Sequence, residues 1–121
     1  ETKAVLAVKR LLKKDKVPVI IGPSLSGNTL AVVKVMNDAK VPLVSCAARN
    51  KIVAPVVARH WIFQVPQSDT HAAEKIYDYL LKNGINKIAI MSVSTGCGAS
   101  GREELLRWAP QVGIEILADE R

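Results

Sequence analysis

Short β-branched and aliphatic runs alternate along this chain with longer segments whose apolar residues recur at helical spacing. That alternation constrains the fold more than any other feature. Val17-Pro-Val-Ile-Ile-Gly22, Val41-Pro-Leu-Val-Ser45, Trp61-Ile-Phe-Gln-Val65, Lys87-Ile-Ala-Ile-Met-Ser-Val93 and Ile114-Glu-Ile-Leu117 read as strands. Residues 2–16 carry Val5, Val8, Leu11 and Leu12 along one helical stripe. Ser24 to Thr29 offers capping hydroxyls before a helix over 27–39, with Leu30, Val33 and Met36 on one side. Ser68-Asp-Thr70 caps a third helix through about Lys82, with Ala73, Ile76, Tyr77 and Leu80 facing inward. Asn83-Gly84 closes it as a left-handed cap. Cys46 to Arg59 reads as a polar loop, Ser94 to Gly101 as a small-residue loop, and 101–109 as a fourth helix. Strands each followed by a helix predict an α/β fold: a parallel sheet with helices on both faces, in a single segment spanning 1–121.

A chain of 121 residues can bury a core without help from a disulfide or a metal. Its 49% apolar and 23% charged residues are an ordinary globular balance. No apolar run approaches the ~20 residues of a membrane span. Glu1 opens directly into a helical pattern, with no leader pattern before it. The net charge of +6 is concentrated at Lys3, Lys9, Arg10, Lys13, Lys14 and Lys16, which reads as the solvated face of the first helix. Aromatic content of 4% leaves no stacking platform, so nucleic acid is not an expected partner. Cys46 and Cys97 lie far apart, and neither shares a helix face with His60 or His71. No zinc site and no resident cofactor are expected.

In open parallel sheets ligands sit beyond the carboxyl ends of the strands. Three loops leave such ends, at 22–29, 45–50 and 93–101, and all are rich in Ser, Gly and Ala, which let main-chain amides approach a ligand. Gly22-Pro-Ser-Leu-Ser-Gly27-Asn28-Thr29 has the glycine spacing of a phosphate-binding loop, but Asn28 stands where the phosphate-binding Lys belongs. What survives is a helix N-terminus open to an anion. Gly96-Cys-Gly98-Ala-Ser-Gly101, with Asp119 and Glu120 about twenty residues on, matches the dinucleotide fingerprint and supports an alternative reading as an NAD- or FAD-binding enzyme domain. Asp69, Asp78, Glu103, Glu104 and Glu115 show no spacing that pairs two carboxylates, and no catalytic triad can be assembled. Arg49, in a strand-end loop, suits a ligand carboxylate.

These loops carry a family resemblance. The run ending Val-Pro-Val-Ile-Ile-Gly-Pro, then Ser26-Gly27, then Val41-Pro-Leu-Val-Ser45-Cys-Ala-Ala48 resembles the branched-chain amino-acid type of periplasmic binding protein, a two-lobed receptor. Trp61-Ile-Phe-Gln-Val-Pro-Gln-Ser-Asp69 and Ile88-Ala-Ile…Gly98…Gly101-Arg102 resemble its next segments, so the likeness covers the whole chain. It implies an extracytoplasmic, periplasmic or extracellular, solute-binding component of an ABC transporter, which captures an amino acid or related carboxylate without chemistry and delivers it to a permease. It implies a ligand-binding set of Ser24, Ser26, Gly27, Ser45, Cys46, Ala47, Ala48, Arg49, Cys97 and Gly98, with a hydroxyl from Ser26 and a main-chain N–H and carbonyl from Ala47. The Arg49 position is usually Thr or Ser in the family, and Cys97 falls where an aromatic often closes over the ligand. Together these departures favour an extra carboxylate, as in an aromatic acid or dicarboxylate. The resemblance also implies an interior piece of such a receptor: 1–66 from lobe one, a crossover at 67–69, and 70–121 opening lobe two. Such a piece is expected to repack into one compact unit or to pair as a homodimer.

Overall fold

The helical stripe at the start of the chain becomes α1 (Thr2–Arg10) in the computed structural model, which describes residues 1–121. Its buried side is Val8, with Ala4, Val5, Leu11 and Leu12 packed beside it. Instead of running to residue 16 as one α-helix, the chain widens into a π-helical turn at Leu11–Asp15 and stops at Lys16, whose φ of 48° breaks the helical path. Strand β1 (Ile20–Ile21) is shorter than its β-branched run, because Pro18 has no N–H to give a ladder. Helix α2 (Ser26–Ala39) follows and ends at Lys40 in the left-handed region. Then come β2 (Leu43–Ser45) and β3 (Ile62–Gln64), joined through two 3₁₀ turns at Asn50–Ile52 and Val56–Ala58.

The three strands form a parallel sheet in the order β1-β2-β3, with Ile20, Leu43 and Ile62 in register. These three point into a core with Val32, Val33 and Met36 of α2 and Val8 of α1. The expected polar loop 46–59 is not wholly polar: Ile52 is fully buried and joins the same core. On the other side of the sheet Ile21 and Phe63 are exposed, flanking the half-buried Val44.

The chain divides into two compact units, Glu1–Pro66 and Gln67–Arg121. Its strands accordingly form two parallel sheets rather than one. In the second unit, α3 (Asp69–Lys82) is capped by Ser68, whose hydroxyl accepts from the His71 N–H at 3.5 Å. Strand β4 (Lys87–Met91) pairs in parallel with β5 (Glu115–Glu120), with an irregularity between Ile88 and Ala89. Helix α4 (Gly96–Val112) lies between them in sequence. Tyr77, Ala109 and Ile114 make the buried centre, and the Tyr77 hydroxyl donates to the Leu105 carbonyl at 2.7 Å. Burial pushes the Tyr77 phenol above its ordinary pKa. Ile76, expected inward, is 48% exposed, because the inward stripe of α3 runs through Ala73 and Tyr77 instead. No helix is long and apolar enough to cross a membrane.

Candidate functional site

Two strand-end loops of the first unit meet at the carboxyl edge of its sheet. Gly22 leaves β1 with φ of 105°, a conformation glycine adopts without steric cost, and its N–H donates to Val44 of β2 at 2.8 Å. One residue past β2, the Cys46 N–H donates to the Pro23 carbonyl at 3.1 Å. The loop over 22–25 and the loop over 46–49 are therefore tied directly to one another, beside the N-terminus of α2.

The tie continues through buried hydroxyls. Ser45 and Thr29 are both fully buried, with Oγ and Oγ1 3.2 Å apart. The Ser45 oxygen accepts from the Ala47 N–H at 3.1 Å. Thr29 Oγ1 reaches the carbonyls of Leu25 at 3.0 Å and Pro23 at 3.3 Å. A consistent proton assignment has Ser45 donating to Thr29, and Thr29 donating back to the β1–α2 turn. Each buried polar group is satisfied by the next, which fixes the loop after β2 against the first turn of α2.

The ten residues expected at the site fall in several environments. Ser24 is exposed in the turn after β1. Ser26 is the buried first residue of α2, and Gly27, half-buried, is the second. A Cβ at Gly27 would stand 2.7 Å from the Glu1 carboxylate oxygen, so this glycine lets a carboxylate reach the first turn of the helix. Cys46 has an exposed side chain, Ala47 is buried, and Ala48 and Arg49 are half-buried. The Arg49 Nε is shielded from solvent. Ser45 and the Ala47 N–H, expected to face a ligand, are instead engaged with each other, because a buried hydroxyl and a buried amide must find partners. Sequence reasoning left Thr29 out of the site and expected capping hydroxyls here; the N-cap is instead Leu25, which has no hydroxyl to offer, and the Thr29 hydroxyl one turn in bonds back to the turn.

In the second unit the small-residue loop is largely helix. Thr95 caps α4, its hydroxyl accepting from the Gly98 N–H at 3.3 Å, so Gly96, Gly98 and Gly101 all lie inside the first turns. A Cβ at Gly98 would stand 2.1 Å from the Val93 carbonyl oxygen. Gly98 thus serves close packing of the helix on its strand, and its N–H is already engaged. Cys97 is exposed on the same turn. Asp119, read as a possible ribose carboxylate, is gripped by Arg102 through both oxygens, the Nε contact being 2.7 Å. The Arg102 guanidinium holds the Asp119 carboxyl below the ordinary carboxylate range. Neither the glycines nor the acid has the arrangement a dinucleotide requires. No cluster of His, Cys, Asp and Glu could hold a metal ion.

Comparison with known proteins accords with this architecture. Many solved structures match the chain. An extracellular ligand-binding receptor from Rhodopseudomonas palustris HaA2 is 33% identical over 99% of this chain and 34% of its own, with a TM-score of 0.89. A solute binding protein of an ABC transporter from Rhodopseudomonas palustris BisB5, in complex with 3,4-dihydroxybenzoic acid, is 23% identical over 98% of this chain and 32% of its own, with a TM-score of 0.86. The leucine binding protein LivK from Thermotoga maritima MSB8 is 20% identical over 99% of this chain and 34% of its own, with a TM-score of 0.85. The chain thus spans about a third of the length of these proteins. No curated protein matches it. The family profile described as Periplasmic binding protein matches residues 1–121 from end to end, and the chain belongs to that family.

Proposed function

We propose that this chain forms part of the ligand cleft of an extracytoplasmic solute-binding protein that serves an ABC transporter. Residues 1–66 would come from one lobe and those from about 70 onward from the other, with 67–69 in the crossover. The ligand is a small carboxylate, an amino acid or an aromatic acid, captured without chemical change and passed to a permease.

The observation that carries this reading is the pair of tied loops beside the N-terminus of α2. That terminus offers main-chain amides and a positive dipole end, which favour an anion. Gly27 already lets a carboxylate, that of Glu1, approach it. Arg49 adds a partly buried guanidinium in the loop after β2, suited to bidentate binding of a second carboxylate oxygen pair. Ser24 and Cys46, both exposed, and the half-buried Ala48 complete the surface of these two loops. Among the structural relatives, one holds 3,4-dihydroxybenzoic acid and another is a leucine binding protein, so both ligand types occur on this fold.

Thermal-shift screening of the full-length protein against carboxylic acids and amino acids tests the reading. A ligand at a hundred times its Kd stabilises by about 2.7 kcal/mol, a readily measured shift. Arg49→Gln is expected to weaken a carboxylate by about tenfold to a hundredfold, the value of one charge-assisted hydrogen bond of ~1.5–3 kcal/mol. Stabilisation only by neutral aliphatic amino acids, with Arg49→Gln binding like the wild type, would overturn the assignment of Arg49. Turnover of the bound compound would overturn the absence of chemistry.

A further inference from the structure

We propose that the exposed face of α1 and its π-helical turn docks the protein on an anionic phospholipid surface. The charge of the chain is unevenly divided. Residues 1–66 carry eleven Lys and Arg against three Asp and Glu, whereas residues 67–121 carry six against eight. Six of those eleven cations, Lys3, Lys9, Arg10, Lys13, Lys14 and Lys16, lie within one short segment, and all six are exposed.

They share a face. At about 100° per residue, Lys3, Leu6, Lys9 and Arg10 fall on one side of α1, opposite the buried Val8. The burial agrees: Val8 is 4% exposed and Leu6, in the middle of the cations, is 62% exposed. Beside this face, between α1 and α2, runs a groove of 660 Å³ lined by the apolar Leu12, Ala31 and Val35 and by Lys9, Lys13 and Lys34. Lys34 is paired with Asp38 at 2.8 Å. Asp38 lines the groove too, engaged with Lys34, whereas Lys9 and Lys13 line it without an ion-pair partner.

This composition matches the physics of a lipid interface. Headgroup phosphates meet the cations, while the aliphatic stems of the lysines, Leu6 and the groove meet the acyl boundary. A protein interface would place an apolar core inside a polar rim; here cations and apolar groups are interleaved along a helix. A nucleic acid would find charge but no aromatic side chain to stack on, since residues 1–16 contain none. The opposite side of α1 remains in the core, so the contact is peripheral.

Flotation of the protein with vesicles tests the proposal. Vesicles of phosphatidylcholine alone are compared with vesicles containing about one-third phosphatidylglycerol, each at about 0.1 M and about 1 M salt, where screening shortens from ~10 Å to ~3 Å. Binding is expected to the anionic vesicles only, and to fall at high salt. The double variant Lys9→Gln and Lys13→Gln should lose about fivefold per neutralised cation. Leu6→Ala should lose about threefold. Leu6, Lys9 and Lys13 are all exposed, and circular dichroism should show every variant folded with an unchanged melt. Equal binding to neutral vesicles, no binding to anionic ones, or an unaffected double variant would overturn the proposal. So would retention on duplex DNA with no vesicle flotation, which assigns the face to polyanions in general.

Discussion

Ser45 is the residue on which most of the candidate site hangs. It is fully buried, and its oxygen receives the Ala47 N–H while touching Thr29. Removing it leaves two buried polar groups short of a partner. Ser45→Ala should therefore cost about 1–3 kcal/mol, read as a lower midpoint in urea with an unchanged slope. Loss below about half a kcal/mol would mean that water replaces the hydroxyl. The sequence showed Ser45 at a strand end but not this use of it. A hydrogen bond between a residue at 29 and one at 45 depends on α2 crossing over β2, and no local pattern records that crossing. The adjacency of the loops at 22–27 and 45–49 was more legible, because β-branched runs separated by a helix predict parallel neighbours whose carboxyl ends lie together.

At the scale of the element, α4 shows where local reading fails. Gly96, Gly98 and Gly101 read as loop, since glycine is a poor helix former. The helix nevertheless starts at Gly96, because Thr95 caps it and because only a bare Cα fits beside the Val93 carbonyl. Two substitutions separate these roles. Gly98→Ala should destabilise by about 1–3 kcal/mol through overpacking against backbone. Gly101→Ala meets nothing within 4 Å and should stabilise by about 0.5–1 kcal/mol. Comparable melts for the two would refute the packing account. The far end of α4 also outran its expected stop, continuing through Pro110 to Val112, with Ala109 buried under Tyr77 and Ile114. Arg102 then fastens α4 to β5 through Asp119. A hydrogen bond from Arg102, opposed by some burial and aided by its charge, lowers the Asp119 pKa. The ionised form is thus favoured in the folded state. Its stabilisation is present above the unfolded value of about 3.9 and is lost as pH falls through the lower folded value. Asp119→Asn should flatten the acid limb of the stability profile below about pH 4, with the wild-type advantage appearing above it.

For the whole molecule, the order of strands and helices was legible from periodicity, and the partition of strands between sheets was not. Nothing in Trp61–Val65 or Lys87–Val93 alone says that β3 pairs with β2 while β4 pairs with β5. Pairing is a long-range property. Pro66, which has no N–H for a ladder, follows the last residue of the first sheet's β3 run, and the first compact unit ends on it. The same scale shows the charge division, with a basic first unit and a mildly acidic second, which composition of the whole chain had averaged into +6.

The chain of hydroxyls from Ala47 through Ser45 and Thr29 to the turn at Pro23 has a consequence for any guest. Much of the flexibility that a grasping loop would otherwise surrender on capture has already been given up when the polypeptide folds. A visiting acid would find a stiff jaw rather than a slack one, and its grip would carry a small entropic toll. Slow deuterium uptake at the Ala47 amide, before anything is bound, is the mark such stiffness leaves.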